Sequence, residues 1–330
     1  MREGKELLRV KSLKVSLIDD VGLKTIVEEV NLSIREGETV GLIGPTGGGK
    51  TVTAKAILGV LQPIGAGRQP WRVEGEALYR WRDLFRMSGE ELRRLRGSEV
   101  SMIFQKPTGS LNPILEVGKQ TGEPVDAHEE IERQRLREMV IDHLGKVELP
   151  DAGRRFRFFP HQFSGGEAQR IMIASALICN PSLVIADEPT SDLDVTVQRQ
   201  VLELLKRVKE EFGLSMLLIT HDLGVIAEMS DYVYVMYAGR IIEHGDVYGI
   251  FEDPIHPYTR GLLLSAPRID SDRFELIEIP GELPQPPYVI PGCVFHPRCI
   301  HAKDVCREKR PTLTECKPGH HVACLRAGDI

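Results

Sequence analysis

An α/β fold built around a mostly parallel sheet is what this chain of 330 residues predicts, and three observations carry the prediction. Compact apolar runs at Glu38–Gly44, Leu183–Ala186, Leu214–Thr220 and Tyr232–Tyr237 are separated by segments of helical period. Strands alternating with helices imply parallel pairing, with helices covering both faces. The run Glu38–Gly44 passes through a Gly-rich turn directly into a helix that starts near Lys50. Finally, 42% apolar and 27% charged residues are ordinary for a folded globular chain and exclude disorder throughout.

The length exceeds what a single core usually supports, so one large domain plus an appendage is expected. The longest apolar runs, Leu214–Ile219 and Tyr232–Ala238, fall far below the roughly 18 residues a membrane-spanning helix needs. The N-terminal Met-Arg-Glu-Gly-Lys-Glu has no apolar signal region, which leads us to expect a cytoplasmic chain. A formal net charge of −6 gives no sign of a nucleic-acid partner.

Taken in order, residues 1–107 read as short apolar runs between Gly-containing turns. Residues 108–162 are broken by Pro113 and Pro124 and then turn helical over His128–Val147, a small helical insertion. Val195–Phe212 is an amphipathic helix with Val197, Val201, Leu204, Leu205, Val208 and Phe212 on one face, and Gly213 stands where a helix-ending glycine belongs. Beyond residue 246 prolines crowd and helical period fades, so this stretch reads as an appendage with its own means of holding together.

Gly44-Pro-Thr-Gly-Gly-Gly-Lys-Thr51 fits the pattern G-x-x-x-x-G-K-[ST] between a strand and a helix. Glycines let backbone N–H groups turn toward phosphate oxygens, Lys50 brings a point charge, Thr51 a hydroxyl for Mg²⁺, and the helix its positive end. Leu183–Ala186 ends in Asp187 and Glu188. Alone, that reads equally well as an acidic strand end capping a helix. With the phosphate loop upstream, Asp187 is expected in the Mg²⁺ sphere and Glu188 beside the attacking water. Ser164, Gly165 and Gly166 precede a helix and offer a second anion site, although Ser-Gly-Gly by itself is common in linkers. Gln105 and His221 both follow strands, at the ends where open α/β sheets bind ligands.

These elements, in this order, resemble the nucleotide-binding subunit of an ATP-binding cassette (ABC) transporter, and the resemblance covers nearly the whole chain. It implies a P-loop NTPase core over 1–245 with a helical subdomain at about 108–168, and a small Pro/Cys-rich C-terminal domain over 246–330. Walker A (Gly44, Thr46, Gly47, Gly48, Gly49, Lys50, Thr51, with Val52 beyond) would hold ATP. Ser164, Gly165, Gly166 and Glu167 would be the signature, and Ser191–Asp194 the D-loop, with Asp194 also at the nucleotide. Catalysis would fall to Glu188, the switch His221 and the Q-loop Gln105, and Mg²⁺ to Thr51, Gln105 and Asp187. Ser110-Leu-Asn-Pro113, Pro160-His-Gln162, His256-Pro-Tyr-Thr-Arg260 and Gly292–Cys299 resemble the dipeptide/oligopeptide importer branch more closely.

The family stacks adenine on an aromatic upstream of Walker A. Residues 9–30 contain none, and Leu17 stands at the equivalent position. The resemblance further implies two membrane permease subunits, an extracytoplasmic solute-binding protein and a homologous second ATPase as heterodimer partner, with a homodimer as the variant. The place would be the cytoplasmic face of the membrane. The alternative is a soluble single-cassette ABC ATPase acting on nucleic acid or ribosomes, against which a single cassette with a short insertion weighs.

Five of the six cysteines lie in the tail, four of them spaced Cys293-x5-Cys299-x6-Cys306-x17-Cys324. Thiolates there suit zinc or an iron–sulfur cluster. Structural zinc sites favour ligand pairs two to four residues apart, and no cysteine pair here is that close, but histidines nearby keep zinc open. The resemblance implies a [4Fe–4S] cluster on these four cysteines, leaving Cys316 out.

Overall fold

A computed structural model of the chain describes residues 4–20, 22–61, 70–265 and 278–330. The first residues of the N-terminal stretch read above lie outside them. The chain opens with β1 (Glu6–Asp19), β2 (Gly22–Arg35), β3 (Thr39–Ile43) and α1 (Lys50–Ile57). β4 (Trp71–Tyr79), β5 (Arg82–Asp83), α2 (Gly89–Leu95) and β6 (Val100–Ile103) follow. The next stretch is helical: α3 (Pro107–Ser110), α4 (Val117–Asp126), α5 (Arg133–Lys146), α6 (Ala152–Arg155) and α7 (Gly165–Leu177). Strands and helices then alternate through β7 (Leu183–Asp187), α8 (Val195–Phe212), β8 (Ser215–Thr220), α9 (Leu223–Met229), β9 (Tyr232–Tyr237) and β10 (Arg240–Asp246). The last elements are α10 (Val247–Glu252), α11 (Pro257–Leu264), α12 (Asp304–Glu308), β11 (Thr314–Lys317) and β12 (His320–Val322). The fold is α/β.

The chain divides into two compact units, one of Met1–Arg35, Thr39–Arg86 and Thr220–Ile330, the other of Glu36–Glu38 and Met87–Ile219. In the first, β1 pairs antiparallel with β2 and β4, and β5 continues that sheet. The short apolar runs expected before residue 107 are here two strands of 14 residues each. Lys11 and Ser12, which interrupt the apolar pattern like a turn, are instead an irregularity inside β1. The register shifts there, and Ser12 sits at φ 47°. β3 pairs parallel with β9, which continues antiparallel through β10 and β12 to β11. All five residues of β3 are buried, as a continuous apolar run in a covered sheet should be.

The C-terminal stretch does contain helices, contrary to the reading of its period. α10 and α11 are too short to show one and are set by caps: Asp246 accepts from Gly249 N–H at 2.9 Å, and His256 Nδ1 from Tyr258 N–H at 3.0 Å. Aromatic rings supply the packing that aliphatic runs do not. Tyr237, Tyr258 and Phe295 meet with ring centroids 4.8–5.6 Å apart. Glu243 on β10, fully buried, is bonded by His320 Nε2 (2.8 Å) and by the N–H groups of Ile255 (2.7 Å) and His256 (3.1 Å).

In the second unit β6, β7 and β8 are parallel neighbours. α8 forms over the expected residues, buries Val201, Leu204, Leu205 and Val208, leaves Val197 and Phe212 half-buried near its two ends, and ends at Gly213 with φ 60°. α5 starts at Arg133, later than the period of His128–Val147 implied, and buries Val140 and Leu144.

Candidate nucleotide site

In the first unit β3 delivers the chain into the turn 44–49 and α1 begins at Lys50. The turn is shaped by close backbone approach. At Gly44, φ is 157° and a Cβ would stand 2.2 Å from the Met236 carbonyl oxygen, so no larger residue fits. Lys50 is buried, and its Nζ donates to the carbonyl oxygens of Gly44 (2.8 Å) and Pro45 (3.0 Å). α1 has no side-chain cap, so its first N–H groups and its positive end are turned to the loop. Thr46–Gly49 form the turn, and Thr51 and Val52 lie in the first turn of α1. Leu17 lies on β1, and directly across from it on β4 stands Trp71. Sequence reasoning missed this aromatic because only strand register brings it there. His221, exposed, is the residue after β8, and Asp222 beside it caps α9 through Gly224 and Val225 N–H.

In the second unit β7 is buried along its whole length and ends at Asp187. Glu188 then sits at φ 47°, in the left-handed region that a β-carbon disfavours, a form of strain that gathers at functional sites. Its N–H donates to Ile219 O at 2.7 Å. Its carboxylate accepts from Gln105 Nε2 at 2.9 Å, which brings together two of the residues expected to act in catalysis. Ser191 Oγ donates to the carbonyl oxygens of Glu188 (3.0 Å) and Gln105 (3.3 Å), tying the two backbones.

Ser164, Gly165, Gly166 and Glu167 open α7. Ser164 Oγ accepts from Glu167 N–H at 3.3 Å, and the Glu167 carboxylate accepts in return from Ser164 N–H (2.9 Å) and Oγ–H (3.1 Å), a capping box. Arg155 Nη1 reaches Glu167 at 2.6 Å, and this contact, ahead of those from Ser164, holds the carboxyl below its usual range. No local pattern betrays Arg155, which lies 12 residues away. Asp194 caps α8, accepting from Thr196 and Val197 N–H at 3.0 Å each.

In the tail, Cys293, Cys299, Cys306 and Cys324 line one small cavity, and all are free thiols. Burial pushes Cys293 up to about 11 and raises Cys299 and Cys324, and the thiols of the group raise one another further. Cys316 is exposed and takes no part in that cavity. Among the described residues no group of three or more His, Cys, Asp or Glu side chains is arranged to hold a single metal ion.

A lysine-bearing phosphate loop at the head of a helix, together with a buried strand ending in two carboxylates, defines a nucleotide-hydrolysing P-loop protein. Residues 27–191 match the family model described as ABC transporter, and residues 242–306 the one described as oligopeptide/dipeptide transporter, C-terminal region. The oligopeptide transport ATP-binding protein OppD of Escherichia coli is 42% identical, over 98% of this chain and 94% of its own length. The dipeptide transport ATP-binding protein DppD of Bacillus subtilis is 44% identical, over 97% and 94%. Among solved structures, the dimeric ATP-binding cassette MJ0796, in a post-hydrolysis state bound to ADP and Pi, aligns with TM-score 0.64 and 26% identity, over 73% of this chain and 99% of that one. The chain belongs to the ATP-binding subunits of ABC transporters, in the branch that carries the oligopeptide/dipeptide C-terminal region.

Proposed function

We propose that this chain hydrolyses ATP to drive an ABC importer of dipeptides and oligopeptides, with oligosaccharides as a further cargo class. The observation that carries the catalytic part is the Glu188 carboxylate held by Gln105 at the end of a buried strand. Gly44, Thr46–Gly49, Lys50, Thr51 and Val52 bind the ATP phosphates, and Leu17 with Trp71 contacts adenine. Glu188 orients and deprotonates the attacking water, and His221 steadies the γ-phosphate. The chain closes head to tail with a homologous second ATPase, whose γ-phosphate is then met by Ser164, Gly165 and Gly166. Gln105 relays that state to two permease subunits, and an extracytoplasmic binding protein delivers the solute. No helix among the described residues is long and apolar enough to cross a membrane, in keeping with a peripheral place on the cytoplasmic membrane face.

Mg²⁺ would be held by Thr51, Gln105 and Asp187, each of which carries a hard oxygen donor of the kind that ion takes. When bound it supplies charge neutralisation at the β- and γ-phosphates. In the tail, four thiols around one cavity are soft donors of the kind an iron–sulfur cluster, or zinc as the alternative, takes. A [4Fe–4S] cluster would take these four as thiolate ligands. Cys293, Cys299, Cys306 and Cys324 would hold it as a structural clasp.

The test is Glu188→Gln in the assembled transporter. Loss of the base is expected to lower ATPase turnover by roughly 10²–10³-fold while ATP still binds. Unchanged turnover would sink the catalytic assignment.

A further inference from the structure

We propose that Tyr288 is a positioning residue for the phosphate loop, through which the cysteine-bearing C-terminal stretch sets nucleotide affinity; this rests on the ATP-binding reading above. The Tyr288 hydroxyl donates to the carbonyl oxygen of Gly47. The next carbonyl of the loop, Gly48, accepts from Gly239 N–H at 3.0 Å. Gly239 has φ 76°, and a Cβ there would stand 2.3 Å from Ile26 O and 3.2 Å from the Tyr288 ring. The ring therefore covers Gly239 while its hydroxyl reaches the preceding carbonyl of the loop.

In a planar trans peptide the C=O and N–H point opposite ways. Holding the carbonyls of Gly47 and Gly48 thus fixes the N–H groups of Gly48 and Gly49, the first of which donates to Pro45 O at 3.0 Å. Those peptides lie in the part of the loop that wraps phosphate, and the two carbonyl bonds act with the Gly48 N–H bond to Pro45 O to keep them from flipping. At Gly47 no other atom lies within 4 Å of where a Cβ would be.

The segment that presents Tyr288 is tied at both ends by arginines of the cysteine region. Arg298, next to Cys299, donates to Pro280 O (2.8 Å) and Ile279 O (3.0 Å), and Arg310 to Ile290 O (3.3 Å). Cys293 N–H closes on Cys306 O at 2.8 Å just beyond it. Disturbing the cysteines therefore moves Tyr288, and moving Tyr288 releases a loop carbonyl.

The experiment is ATP titration and steady-state hydrolysis on the full chain and on Tyr288→Phe, which keeps the ring and removes the donor. The expected result is a Kd and KM for ATP raised roughly 3- to 10-fold, the worth of one neutral hydrogen bond, with kcat within about twofold and an unchanged melting midpoint. Equal Kd and KM in the two proteins would overturn the inference. So would a fall in kcat at constant KM, or a lowered melting midpoint with Kd unchanged. A wild-type chain that takes up no ATP would overturn the proposed function itself, a different outcome from a wild type that binds and a variant that binds equally well.

Discussion

Two glycine-rich turns in this chain each lead into a helix, and they satisfy their polar groups by different means. At Gly44–Thr51 the helix start has no side-chain cap, and loop carbonyls are covered by the buried Lys50 ammonium. At Ser164–Glu167 the hydroxyl and N–H of Ser164 are taken up by an acidic residue on the third helical position, itself paired with Arg155. An incoming phosphate meets a cation and a positive helix end at the first turn. At the second it meets a serine whose N–H and hydroxyl are already bonded to a carboxylate. The first turn is prepared for an anion; the second must exchange one anion for another. On the proposed function this sets an order, in which ATP settles on the phosphate loop before the partner's signature turn engages it.

The comparison can be broken first at Lys50. Lys50→Ala removes the one buried cation of the loop turn and is expected to cut ATP hydrolysis by roughly 10²–10³-fold, as loss of a charge-stabilising donor does; wild-type turnover would mean the loop is not prepared by its lysine. Next in size is Asp194, which caps α8 as Ser164 caps α7. Asp194→Ala should cost about 1 kcal/mol, seen as a melting midpoint a few degrees lower, and Asp194→Ser should restore it. A serine variant with recovered stability but a raised KM would show that Asp194 serves the nucleotide rather than the cap.

The smallest effect is at Glu167. Its carboxyl is held below 4.5, chiefly by Arg155. A depressed carboxyl contributes stability that is present above 4.5 and is lost as pH falls through its folded value. The melting difference between wild type and Arg155→Ala should therefore be largest near neutral pH and shrink below about 4.5. A difference that does not change with pH would remove the ion pair from the comparison.

Much of this was legible in the sequence where the determinants are local. The turn 44–51, the helix Val195–Phe212, the strand Tyr232–Tyr237 and the acidic end at Asp187–Glu188 each follow from a few neighbouring residues. What was not legible depends on distant partners. Trp71 faces Leu17 only because β4 pairs with β1. Gln105 reaches Glu188 from 83 positions away, and only the family pattern, not the local one, pointed to that pairing. The tail was hardest, since its short helices rest on single caps and its packing on rings from three separate segments. The four cysteines were visible as a spacing, but that they share a cavity while Cys316 does not is a property of the fold.

The buried carboxylate on β10 has a consequence for how the protein is made. Glu243 and its partner His320 are 77 residues apart, and β12 is the strand that pairs with β10 on the side away from β9. At synthesis rates of about 5–20 residues per second, the ribosome needs roughly 4–15 s to supply that partner. Through this interval β10 has an unsatisfied edge and a carboxylate whose hydrogen-bond partner has not yet been translated, which makes the growing chain adhesive at one defined place. Codon choice between β10 and β12 would lengthen or shorten that exposure without altering a single amino acid of the finished protein.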